Sequence, residues 1–145
     1  MTRSYIDFGN GVISINASGH DDSAEPTQVT PPLKSVVDVS EFGALDIEVR
    51  LLSAEMTGTP TTEEVTLHFE SSMQDTDEAF EYWAHFSDDH QGLDLVGIET
   101  PFVFSFTQST GVLRYVRWRV QIAGREMGPA IGVQMVFQIR GYGRD

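Results

Sequence analysis

From residue 44 onward, apolar and polar residues alternate one by one in segment after segment. Few backbone conformations can use that pattern, because only an extended strand sends successive side chains to opposite faces. Leu45, Ile47, Val49 and Leu51 share one face, with Asp46, Glu48 and Arg50 on the other. Val65, Leu67 and Phe69 alternate with Thr66, His68 and Glu70, and Phe80, Tyr82, Ala84 and Phe86 alternate with Glu81, Trp83 and His85. Phe102, Phe104 and Phe106 form a fourth set, and Val133, Met135, Phe137 and Ile139 a last one. Between those two, Val116, Trp118, Val120 and Ile122 oppose Tyr115, Arg117, Arg119 and Gln121. Helical periodicity is lacking, although Thr-Asp-Glu is compatible with a helical turn at Thr76 to Ala79. Roughly seven to nine strands punctuated by Gly, Pro and Asp predict an all-β fold, an antiparallel β-sandwich of jelly-roll-like type. Val49, Phe69, Phe104, Trp118, Val120 and Phe137 are its expected core.

Residues 1–43 read differently. "NASGHDDSAEPTQVTPPLK" (Asn16 to Lys34) is rich in Ser, Asp, Pro and Thr and thin in apolar side chains, too thin to bury much surface by itself. The division expected is an extended N-terminal arm over 1–43, with a short strand near Val12 to Ile15, and a β-sandwich domain over 44–145. The arm is expected to serve assembly more than folding. A weak internal echo links "LDIEVRLLSAEMTGTPTTEEVTLHFES" to "YVRWRVQIAGREMGPAIGVQMVFQIRG". Each is a strand, a connector with Met, Gly and Pro, and a second strand, so the two read as similar hairpins in corresponding halves of a sandwich.

Composition removes several function classes. The chain of 145 residues has no cysteine, which excludes disulfides, thiolate zinc sites and a cysteine nucleophile. Nine basic and 22 acidic residues give a net charge of −13, the wrong sign for a nucleic-acid binder. No stretch approaches membrane-spanning length. Neither a phosphate-binding glycine loop nor a G-x-S-x-G or H-E-x-x-H motif occurs.

What remains are small constellations. His20, Asp21 and Asp22, and again Asp88, Asp89 and His90, offer oxygen and imidazole donors of a kind that divalent metals accept. Both are equally ordinary polar loop tips, and no cofactor is expected. Asp75 to Glu78 has the flavour of a calcium loop without its glycine or remaining ligands. His68 and His85 sit on polar strand faces with no nucleophile beside them, so solvated or hydrogen-bonded histidines are the simpler reading. Trp83 and Tyr115 lie opposite their strands' apolar sets, which fits an interface, a covered face or stacking on a sugar. The segment Arg114 to Ile122 concentrates three arginines in an acidic chain. Arg117 and Arg119 share a face and have the same spacing as Asp46 and Glu48, so ion pairs within one subunit or between subunits are expected.

The order of these pieces resembles small β-sandwich structural proteins of tailed bacteriophages, some of them head decoration or auxiliary virion proteins. In those proteins a T-S-P-T type connector precedes a V-T-I-x-x-S-x-D-G strand and turn. A tryptophan and L-x-x-F follow, then an R-Y-V/L-R strand and a terminal V-x-L-x-G-R. The matching pieces are Gly58-Thr59-Pro60, Val65 to Ser71, Trp83 to Phe86, Arg114 to Arg117 and Ile139 to Arg144, within about residues 45–144. "MQDTDEAF" stands where the family has Asp-Gly, and the N-terminal segment is longer. The resemblance implies a non-enzymatic protein on the capsid exterior, made in the host cytoplasm, with the major capsid protein or another virion protein as partner. It also implies a homotrimer, whose interface would be sought among Tyr115, Arg117, Arg119, Asp46, Glu48 and Trp83. The alternative is a carbohydrate-binding or adhesion sandwich of a tail or fibre.

Overall fold

A computed structural model describes residues 3–19, 25–31, 36–76, 80–83, 92–108 and 113–144. The described residues form ten strands and no helix, arranged as two antiparallel sheets packed face to face. The strands are β1 (Arg3–Ser18), β2 (Thr27–Val29), β3 (Val37–Asp38), β4 (Ala44–Thr57) and β5 (Val65–Ser72), followed by β6 (Glu81–Trp83), β7 (Leu93–Asp94), β8 (Phe102–Gln108), β9 (Tyr115–Ile122) and β10 (Gly132–Arg144). The first sheet has the order β1-β10-β4-β8. The second has the order β2-β9-β5-β6, with β3 also on β9 and β7 also on β5. The all-β sandwich expected from the alternation is the fold found.

The inward sets of both sheets meet in one core. Leu45, Val49, Val65, Phe69, Val116, Val120, Ile122 and Phe137 are at most 1% exposed. Trp118 stands edge-on to Phe137, 5.3 Å between centroids, and joins the two sheets. Of the expected core only Phe104 is half-buried, because β8 is the rim of its sheet. In β10 the inward row ends in Gly141 and Gly143, which leave room for the rings of Phe8 and Phe42. A Cβ would lie 2.5 Å from the first ring and 2.3 Å from the second.

Three local expectations change. The short strand near Val12 to Ile15 is one of 16 residues, Arg3–Ser18, paired along β10 and burying Ile6, Phe8 and Ile15. Its pattern is hard to see because the register slips between Asp7 and Val12, so the inward set changes parity from Ile6 and Phe8 to Ile13 and Ile15. β2 and β3 lie on β9 in the second sheet, so the segment to residue 43 contributes strands to both sheets. The two echoing units are not hairpins either. β4 and β10 pair in one sheet and β5 and β9 in the other, so each unit is an arch from sheet to sheet. The helical turn expected at Thr76 to Ala79 extends outside the described residues.

Candidate functional site

The arginine strand β9 pairs with β5 so that Arg119 is opposite His68 and Arg117 opposite Glu70. Alternation alone would leave that face in water. Instead all eight residues of β5 are buried, with Thr66, His68 and Glu70 only 4–5% exposed and Arg117 6%. Among the described residues, two features lie over this face. Arg117 carries the Phe80 ring on its guanidinium, 4.2 Å to the centroid. Gly92, at φ +78°, lays its backbone on the imidazole, where a Cβ would be 2.6 Å from His68 Nδ1. A cover made of backbone and one ring leaves no periodic trace in sequence.

Beneath it the charges are matched locally. Glu70 takes Arg117 Nε at 2.8 Å on one oxygen and Arg119 Nε at 2.6 Å on the other. Arg119 reaches on to Gln121 at 2.8 Å and to Gln28 of β2. His68 Nε2 and the Thr66 hydroxyl are 2.7 Å apart. Burial, with Arg119 beside it, pushes the His68 pKa from 6.5 down to about 4. A buried carboxylate between two guanidiniums, beside a neutral imidazole, is a local network in which removal of one charge would strand the others.

The remaining candidate residues lie elsewhere. Asp46 and Glu48 are on the outer face of β4, in the other sheet, so they do not meet Arg117 and Arg119 within the subunit. Asp46 pairs with Arg144 at 3.1 Å and accepts the Thr107 hydroxyl at 2.7 Å, while Glu48 pairs with Arg50 at 2.8 Å. With Ser105, Thr107, Tyr142 and Arg144, these acids line an open groove of about 630 Å³. Tyr115 is half-buried at the end of β9 under the Arg114 guanidinium, which itself pairs with Asp38 at 3.3 Å. Trp83 is the last residue of β6, opposite Phe69 in register. His20, Asp21, Asp22, His85, Asp88, Asp89 and His90 lie outside the described residues, and among the described residues no cluster of potential metal ligands forms.

Sequence reasoning missed Glu70 as the partner of the arginines, although its position in the β5 alternation was the available signal. It also missed Arg125, which closes the far end of the sandwich. Arg125 binds Glu64 at 2.7 Å, Thr59 O at 3.0 Å and Pro129 O at 3.1 Å, clasping the two arch connectors. The Arg125 side chain and Thr61 hold the Glu64 pKa down from 4.5 to about 2.

A scan against protein-family models finds no match, and neither does a search of the curated proteins. The class to which the chain is assigned is therefore that of its fold, an antiparallel β-sandwich, with an ionic network on its second sheet.

Proposed function

We propose that this chain is a non-enzymatic structural protein of a tailed-phage virion, and more specifically a capsid-decoration protein bound to the outer surface of the head. The observation that carries the non-catalytic part is the local network. Among the described residues, Glu70, Arg117 and His68 are buried and Arg119 is half-buried, with the Glu70 carboxylate paired to both guanidiniums inside one subunit. The network offers a substrate no approach, whereas an active site keeps its perturbed groups in a cleft. The acidic surface, net −13, suits a position away from packaged DNA. The virion assignment rests on the ordered resemblance of residues 45–144. The test is quantitative mass spectrometry of purified virions together with sedimentation of the purified chain with heads. Stoichiometric recovery in heads and saturable co-sedimentation are expected, and a chain that stays in the supernatant at every concentration overturns the reading.

One observation favours the carbohydrate-binding alternative, the polar groove of Asp46, Glu48, Ser105, Thr107, Tyr142 and Arg144. Carboxylate, hydroxyl, guanidinium and aromatic groups on one concave face are what a sugar uses. Glycan-array binding lost on Tyr142→Ala decides for it.

A further inference from the structure

Among the described residues, the terminal strands of the two sheets are blunted with one exception. β2 and β6 are three residues long, β3 and β7 two. β1 is long, but its register is broken between Asp7 and Val12. Shortness and irregularity are the ordinary protections of a sheet edge. β8 has neither. It runs seven residues, Phe102–Gln108, and pairs with β4 from Leu51↔Phe102 to Leu45↔Gln108 without a slip. No proline, glycine or charged residue interrupts it. Among the described residues, nothing pairs with its other side. Phe102 is 42% and Val103 55% exposed.

We propose that β8 is the strand through which two copies of this chain join, antiparallel about a twofold axis, so that the first sheets of both copies become one continuous sheet. A second copy is the fitting occupant because the strand matches itself. Phe102, Phe104 and Phe106 share one face, and Phe106 already packs on the core ring of Phe69, 5.4 Å between centroids. An antiparallel mate centred on Phe104 brings Phe102 opposite the mate's Phe106, and one centred on Ser105 brings Phe104 opposite it. Either way aromatic side chains meet across the junction at pair distances that favour association.

Charge permits this contact here and opposes it over most of the surface. The chain carries −13, yet the outer face beside β8 is locally neutral, with Asp46 paired to Arg144 and Glu48 to Arg50. Arg50 is in register with Val103, Glu48 with Ser105 and Asp46 with Thr107. In the Phe104-centred arrangement the row of Arg50 runs on into the mate's Glu48, and in the Ser105-centred one into the mate's Asp46. The Phe104-centred arrangement thus sets opposite charges on a common row, roughly 14 Å apart at strand spacing, whereas the Ser105-centred one also runs Glu48 into the mate's Glu48, so charge favours the first. This pairing does not rest on the virion reading and is tested on the purified protein alone.

Sedimentation velocity from low micromolar to roughly 100 µM is expected to show a dimer, with Val103→Lys weakening it at least tenfold and Val12→Lys, on the β1 edge, leaving it unchanged. Because the chain has no cysteine, introduced thiols report the geometry separately. Oxidation is expected to cross-link Ser105→Cys with itself or with Val103→Cys, while Val12→Cys stays uncross-linked. A wild-type monomer throughout the range, or a dimer that Val103→Lys does not weaken while circular dichroism shows it folded, overturns the proposal. If Val103→Lys unfolds, the cross-linking decides alone, and no disulfide in either combination overturns it.

Discussion

His68 is the residue whose environment departs furthest from what its position in the sequence announces. A histidine on the polar face of a strand reads as solvated, yet this one is 5% exposed beside a guanidinium. Its folded pKa, about 4, is below the ordinary 6.5, so the unfolded chain binds more protons between those values. Stability from this residue is complete above about pH 6.5, falls progressively as pH drops from there, and is gone by about pH 4. Glu64 adds a second step, since its carboxylate contribution is complete above 4.5 and lost toward about 2. Urea unfolding at pH 7.5, 4.5, 3.5 and 2.5 is expected to show a first loss of roughly 3 kcal/mol by pH 4, at about 1.4 kcal/mol per pKa unit. His68→Gln is expected to flatten that first step while leaving the later one. A wild-type midpoint unchanged between pH 7.5 and 4.5 would mean that the imidazole is protonated in place.

At the scale of elements, β1 shows where reading by periodicity succeeds and where it stops. The straight strands were legible because each keeps one parity, as Val116, Trp118, Val120 and Ile122 do along β9. β4 keeps parity to Leu51, and a bulge then leaves Leu52 exposed and turns Ala54 and Met56 inward. β1 changes parity in a Gly-rich stretch, so Ile6 and Phe8 do not line up with Ile13 and Ile15 and only its second half looks like a strand. The arches were equally hidden, because a strand–connector–strand sequence is the same whether the connector turns within a sheet or crosses to the other one. The site was legible in part. The arginine pair was visible, but its partner Glu70 and the cover of Phe80 and Gly92 depend on contacts distant in sequence. The contribution of β1 gives a definite expectation. Ile6, Phe8 and Ile15 are 2–5% exposed, and burial of each is worth about 1.5–3 kcal/mol. Their sum is comparable to the whole stability of a domain, about 5–15 kcal/mol. A chain beginning at Pro31 is therefore expected to lose its cooperative thermal transition. Retention of a sharp transition near the wild-type temperature would return β1 to the role of an assembly arm.

For the whole molecule, the division of labour is between a sealed middle and open rims. One outer face is locked by Glu70 with Arg117 and Arg119, and the far end by Arg125 on the two connectors. The first sheet has a polar groove and, among the described residues, β8 as its rim, and these are the places where the proposals above put other molecules. The arginine strand is thus assigned to stability and β8 to association. Removing one partner of a buried pair costs about 3–5 kcal/mol, since the remaining charge is left without compensation. Sedimentation velocity of Arg117→Gln, at a temperature where it is still folded and with its melting temperature measured alongside, tests that assignment most directly. A lower melting temperature with an unchanged dimer is the result expected. Loss of association at an unchanged melting temperature would contradict it, and would place Arg117 at the contact between subunits.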